Sequence, residues 1–170
     1  MSLLVFFHRK MQVKNLIADK QYLLMQKKQE MMDLQSYTSG IADGSVSMND
    51  LANAPASMFG RMTQYMVNSH NAAMAGAQQN MAYVQGGQMG MQGMDSVQMQ
   101  QYNTMIFKNL YDQQKQQFQK VEEAVLNQKN KALDNECLKI EQELKLLEAE
   151  YQQLGSAVDK SVQDAAPKYA

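Results

Sequence analysis

The sequence predicts an all-α protein whose long helices make it extended, not compact. Three observations indicate this fold class. The chain of 170 residues contains 16 methionines and two prolines, and Met, Ala, Leu, Gln, Glu and Lys all favour helix. Apolar residues recur at helical spacing over long stretches. The glycines, which break helices, lie mostly between Gly40 and Gly93.

Residues 1–37 are predicted to form a basic amphipathic helix, followed by a turn segment at residues 38–55. The helical spacing is carried by Phe6, Val13, Leu16, Ile17, Leu23, Leu24, Met31 and Leu34. Gly40 and Gly44 are turn signals. Ser47 and Asp50 form a weak capping pattern, and Pro55 can only begin or end a helix.

Residues 56–85 are predicted to form a methionine-rich helix with an apolar interface. Its candidate interface residues are Met58, Met62, Met66, Met74 and Met81. On a helical wheel they cover an arc of about 160°, which is wider than the ~100° stripe of a helix lying on a single core. The helix is therefore expected to have neighbours on two sides. The small residues at positions 72–77 favour close approach of another backbone.

The Gly-rich stretch 86–94 predicts a corner, and residues 95–162 predict a long helix that leads into a tail at 163–170. Between residues 133 and 158 the apolar positions alternate in steps of four and three, which is a heptad seam. The seam consists of Leu133, Cys137, Ile140, Leu144, Leu147, Tyr151, Leu154 and Val158. From Tyr102 to Leu154 this helix would span about 80 Å, whereas a compact domain of this size is about 40 Å across. Other copies of the chain are expected to cover its apolar surface.

The charges divide the chain into three parts. Residues 1–36 carry six basic and three acidic groups, residues 37–107 carry one and three, and residues 108–170 carry nine and eleven. The first helix is thus electrically complementary to the last. The middle is nearly free of charge, which is typical of a surface buried on assembly.

Metal and catalytic sites are not predicted. Met89, Met91 and Met94, with Met99 and His70 nearby in sequence, could bind Cu(I) through soft thioethers, but no cysteine accompanies them and packing is the favoured interpretation. His8 and His70 lack zinc-ligand spacing. Cys137 fits a buried small hydrophobe inside a helix. We expect no enzyme activity, no cofactor, no metal and no small-molecule substrate.

Nucleic acid and membrane are also disfavoured as partners. The basic patch around residues 8–10 is modest in a chain with a pI near 6.1, so no nucleic-acid partner is expected. No stretch approaches the ~20 apolar residues of a transmembrane helix. The apolar run at residues 3–7 is too short for a cleavable signal peptide and precedes its basic cluster, although it leaves a weak possibility of membrane contact.

Long helices at both ends, a polar middle and no cleavable signal resemble, in layout alone, self-assembling secreted filament proteins such as flagellin-like and type III needle-sheath subunits. The leading hypothesis is therefore a structural subunit that assembles with copies of itself into a filament or tube. The alternative is a coiled-coil adaptor or scaffold that binds a different protein, such as a secretion or phage component. The chain is expected to be soluble, and an extracellular or cell-surface filament formed after signal-less export is favoured over a cytoplasmic one.

Overall fold

The computed structural model describes residues 3–42, 46, 48–86 and 95–165. These residues form the helices α1 (Leu3–Ala42), α2 (Met48–Ala52), α3 (Ala56–Gly86) and α4 (Ser96–Ala165). None of the described residues lies in a strand. The all-α prediction, with long helices at both ends of the chain, is confirmed.

The first helix continues past the predicted turn signal at Gly40 and ends at Ala42. Tyr37 and Ile41, in its last turns, are 2% and 1% exposed. Burying two large side chains stabilises these turns by more than the ~1 kcal/mol that a glycine costs in a helix interior. Packing therefore outweighs the local turn signal. Gly44 and Ser47, part of the same predicted turn, lie outside the described residues.

Local hydrogen bonds fix where α3 and α4 begin. The carbonyl of Pro55 accepts hydrogen bonds from the backbone N–H groups of Met58 and Phe59. The proline therefore precedes the helix, where its missing N–H removes no helical hydrogen bond. Asp95 and Gln98 form a reciprocal capping pair: the Gln98 N–H donates to Asp95 Oδ1 at 2.8 Å, and the Asp95 N–H donates to Gln98 Oε1. Of the predicted corner, Gly86 is the last residue of α3, and residues 87–94 lie outside the described part.

The chain divides into two compact units. Unit 1 combines Met1–Met32 with Lys131–Ala170, and unit 2 is the continuous segment Asp33–Asn130. In its described part, unit 1 therefore consists of residues 3–32 of α1 and residues 131–165 of α4. Unit 2 contains the end of α1, all of α2 and α3, and the first half of α4.

Unit 1 is an antiparallel pair of helices. Arg9 pairs with Glu150, Lys20 with Glu143 and Lys27 with Glu136. Partner numbers fall along α4 as they rise along α1, so the two segments run in opposite directions.

Unit 2 is built around a line of aromatic rings. The ring centroids of Tyr37 and Tyr65 are 6.5 Å apart in an edge-to-face arrangement, and those of Tyr65 and Phe118 are 5.8 Å apart. Such pairs stabilise beyond their buried area. The other buried residues of this core are Leu34, Ile41, Met62, Ser69, Ala73, Ala77, Met81 and Leu126.

Candidate functional site

The predicted seam of α4 lies on the buried face of that helix in unit 1. Its first four residues, Leu133, Cys137, Ile140 and Leu144, are 4–8% exposed. Its last four residues, Leu147, Tyr151, Leu154 and Val158, are half-buried. The helix that covers this seam within one chain is α1, whose Val13 is fully buried. A role for the seam between chains stays a prediction.

Cross-helix ion pairs flank that seam, as the opposite charges of the two helices suggest. Lys27 binds Glu136 at 3.0 Å and Lys28 binds Glu141 at 2.8 Å. The hydrogen bond to Glu136 raises the pKa of Lys27, and the bond to Glu141 raises the pKa of Lys28. The bond from Lys28 lowers the pKa of Glu141. Because these pairs are exposed to solvent, each contributes little to the stability of the fold. Their main effect is to favour one direction and register of the two helices.

The predicted methionine face of α3 is covered to different degrees within unit 2. Met62 and Met81 are buried, and Met58, Met66 and Met74 are half-buried. The buried line of α3 continues from Met62 through Tyr65, Ser69, Ala73 and Ala77 to Met81. Sequence reasoning missed Tyr65 and Ser69 in this line. A role for the methionine face between copies stays a prediction.

Small residues let α4 approach α3 closely. Ala73 and Ala77 are fully buried, and a Cβ added at Gly76 would lie 2.9 Å from the Cγ of Gln114. A separation under 3.0 Å forces the Gln114 side chain to move. In this structure, the backbone that uses the predicted small-residue surface belongs to the same chain.

A second apolar face runs along α1 and remains exposed in unit 1. Leu4 is 77% exposed, Met25 63% and Met32 60%. We name this face the outer stripe, and it comprises Leu4, Phe7, Met11, Ala18, Tyr22, Met25 and Met32. On a helical wheel these residues span about 80° and lie roughly opposite Val13, which faces α4. Of the residues that predicted this helix, Val13 and Leu34 are buried, whereas Leu16 and Leu23 are exposed. The sequence prediction did not identify the outer stripe.

A polar cluster lies beside the aromatic core of unit 2. Glu122 Oε1 accepts hydrogen bonds from Arg61 at 2.8–2.9 Å and from the Tyr37 hydroxyl at 3.3 Å. Burial, followed by the charge of Glu122, raises the pKa of Tyr37. Burial likewise raises the pKa of Tyr65. Arg61 and Tyr37 together supply hydrogen-bond donors to the part-buried carboxylate of Glu122.

The two histidines lie in different units. His8 of unit 1 interacts with Gln12 at 3.0 Å, and His70 of unit 2 lies 2.9 Å from the Tyr111 hydroxyl. A cavity of about 240 Å³ beside His70 is lined by Lys115 and Ser69 as well. Among the described residues, no three His, Cys, Asp or Glu side chains are grouped as metal ligands. The candidate copper ligands Met89, Met91 and Met94 lie outside the described part.

Neither a membrane-spanning helix among the described residues nor a similar known protein was found. In the part of the chain that the structure describes, no helix is long and apolar enough to cross a membrane. Comparison with protein-family models, with curated proteins and with solved structures found no match to this chain in any of the three.

Proposed function

We propose that this protein is a structural subunit that assembles with copies of itself into a filament or tube. The observation that carries the proposal is the outer stripe of α1. Unit 1 contains two helical segments, and α1 uses its inner face against α4. The outer stripe, from Leu4 to Met32, runs for about 42 Å along the helix, and most of it is exposed, with no described residue of the chain covering it.

The chemistry of the stripe favours a protein partner. Its seven side chains carry no charge, and three of them are methionines, whose flexible thioethers adapt to contacts with other proteins. Contiguous exposed apolar surface of this length marks an interaction site more often than an ordinary monomer surface. A contact that buries it would remove large apolar side chains from water, which drives association.

Growth into a filament needs a second, different contact. A contact of one surface with itself closes into a dimer, whereas open growth requires a head-to-tail contact as well. Unit 2 offers candidates for that contact in the exposed apolar side chains of α3, namely Phe59, Val67 and Tyr83. Because the layout of the helices resembles that of secreted filament proteins, we extend the proposal to assembly at the cell surface.

The second candidate function is an adaptor that pairs with a helix of a different protein. The same outer stripe favours it, because an amphipathic helix from another chain could cover the same apolar line. The two functions differ in the behaviour of the pure chain. A filament subunit grows as concentration rises, whereas an adaptor stays monomeric or stops at a small closed oligomer until its partner is added.

Sedimentation velocity over a dilution series, with negative-stain microscopy of the same samples, tests the proposal. We expect particles that grow with concentration and elongated polymers on the grid. Met25→Glu places a charge in the outer stripe. It should raise the protein concentration needed for assembly at least tenfold, since an unpaired buried charge costs several kcal/mol. Gln152→Glu, at an exposed position of α4, is the matched control and should assemble normally. A wild-type chain that stays monomeric at every concentration would contradict the proposal.

A further inference from the structure

The outer stripe of α1 has the spacing of a two-stranded coiled coil. Leu4, Met11, Ala18, Met25 and Met32 recur at intervals of seven residues. A strict seven-residue repeat keeps one line of side chains facing a partner helix through a left-handed supercoil. With this line at the d positions, the a positions are held by His8, Asn15, Tyr22 and Gln29.

Charges beside the stripe select the direction of the partner. In this register Lys14 occupies a g position and Asp19 the e position five residues later. Both side chains are exposed, and no described residue forms a hydrogen bond or ion pair with either of them. In a parallel pair of helices, a g residue lies beside the e residue five positions later in the partner. Lys14 of each chain would then face Asp19 of the other.

An antiparallel pair would bring like charges together. In that arrangement g positions face g positions and e positions face e positions, so Lys14 would lie beside the Lys14 flank of the other helix and away from Asp19. Like charges on facing flanks oppose pairing. Asn15 also favours this arrangement, because asparagine at an a position favours a coiled coil of two helices in a single register.

From this geometry we propose that a second copy of the chain binds the outer stripe through its own outer stripe, parallel and in register. The inference rests on the proposed function of self-assembly and names the first contact of that assembly. The pair has twofold symmetry and is closed. The dimer is therefore a building block, and growth into a filament needs a separate contact between dimers.

Cysteine cross-linking tests the direction and register. In a parallel, in-register pair, each d residue lies next to its own copy, within the Cα separation that a disulfide accepts. Met11→Cys and Met25→Cys should therefore both form disulfide-linked dimers under mild oxidation. Gln26→Cys, at an exposed e position, is the matched control and should link poorly. In an antiparallel pair residues 11 and 25 cannot both meet their own copies.

Charge reversal tests the flanking contact. Lys14→Glu and Asp19→Lys should each raise the dissociation constant by roughly fivefold to tenfold, since two attractive contacts become repulsive. The double variant, with both changes, should restore the wild-type value. Both residues are exposed, so circular dichroism should show an unchanged helix content in all three variants.

The outcomes separate this inference from the proposed function. A chain that assembles without cross-linking at both Met11→Cys and Met25→Cys overturns the parallel pair and leaves self-assembly standing. A cross-linked dimer that never grows supports the parallel pair and overturns the filament. A wild-type chain that is monomeric at every concentration overturns both.

Discussion

Arg61 places both its Nε and one terminal nitrogen within 2.9 Å of a single oxygen of Glu122. Arg61 is the one lysine or arginine between residues 37 and 107, so this nearly uncharged part of the chain uses its one strong cation internally. The pair joins α3 to α4 next to the aromatic rings of unit 2. Together with the ring contacts of Tyr65 with Phe118 and of His70 with Tyr111, it shows that α3 and α4 run antiparallel.

Removing one partner of this pair should destabilise unit 2. Arg61→Met leaves the part-buried carboxylate of Glu122 with the Tyr37 hydroxyl alone, and we expect a loss of about 1–2 kcal/mol in the free energy of unfolding. Urea unfolding followed by circular dichroism measures it. Glu150→Gln breaks the more exposed pair with Arg9 and should change stability by less than about 1 kcal/mol. Equal losses in both variants would show that burial adds nothing to the first pair.

Alkaline pH should destabilise the protein through Tyr37. Burial and the charge of Glu122 raise the pKa of this phenol in the folded chain above its ordinary value. A raised folded pKa gives stability that is complete below the unfolded pKa of about 10 and is lost as pH rises towards the folded pKa. Between pH 9 and pH 11, the urea midpoint of the wild type should fall more steeply than that of Tyr37→Phe. In Tyr83→Phe, which changes an exposed tyrosine, the urea midpoint should fall with pH as steeply as in the wild type.

Alanine should have different effects at two glycines of α3. A Cβ at Gly60 meets no atom within 4 Å, so Gly60→Ala should raise the free energy of unfolding by about 0.5–1 kcal/mol through helix propensity. Gly76→Ala should gain less or lose stability, because Gln114 must move. Adding Gln114→Ala to Gly76→Ala should recover the gain. A thermal shift of Gly76→Ala equal to that of Gly60→Ala would contradict the close approach of α4.

A charge inside the seam of α4 should unfold unit 1. Ile140 is 7% exposed, and Ile140→Lys would bury an unpaired ammonium, which typically costs several kcal/mol. Gln152→Lys, at an exposed position of the same helix, should be tolerated. Helix content and melting temperature measured by far-UV circular dichroism distinguish the two. Tolerance of both changes would mean that the seam has no packing role.

Methionine oxidation should follow exposure. Met25 and Met32 are largely exposed, whereas Met62 and Met81 are buried. Brief treatment of dilute protein with peroxide should convert the first pair to sulfoxides well before the second, as peptide mass spectrometry can measure. If the outer stripe is an interface, oxidation of Met25 should slow as protein concentration rises. Oxidation of Met25 at one rate over the whole concentration range would argue against burial of the stripe.

The sequence was sufficient to predict the three long helices, whereas the short helix α2 (Met48–Ala52) lies in the segment that was predicted as a turn. The heptad spacing from Leu133 to Val158 identified the buried line of α4, since apolar periodicity is the direct signature of a packed helix face. The opposite charges of the two terminal segments indicated which helices attract each other. Neither signal states whether the partner belongs to the same chain, because an α-helix presents the same face to any neighbour.

The outer stripe and the polar members of the α3 core were harder to predict. Ser69 is buried because its hydroxyl donates to the carbonyl of Met66, and a hydroxyl satisfied locally leaves no pattern in the sequence. The outer stripe did leave one: Met11, Ala18 and Met25 repeat every seven residues. This repeat is hard to recognise, because it contains an alanine and because the more apolar Leu16 and Leu23 lie on another side of the helix.

The way unit 1 is assembled has a consequence for synthesis at the ribosome. Arg9 and Glu150 are separated by 141 residues, so the amino-terminal helix is made long before the segment that covers it. Unit 2 is continuous in sequence and can fold as it emerges, whereas the first helix must wait for residues 131 and beyond. During that interval both apolar faces of the nascent helix are open to solvent, which is the condition under which nascent chains aggregate or bind chaperones. Translation speed across the last quarter of the chain should therefore influence how much protein reaches the folded state.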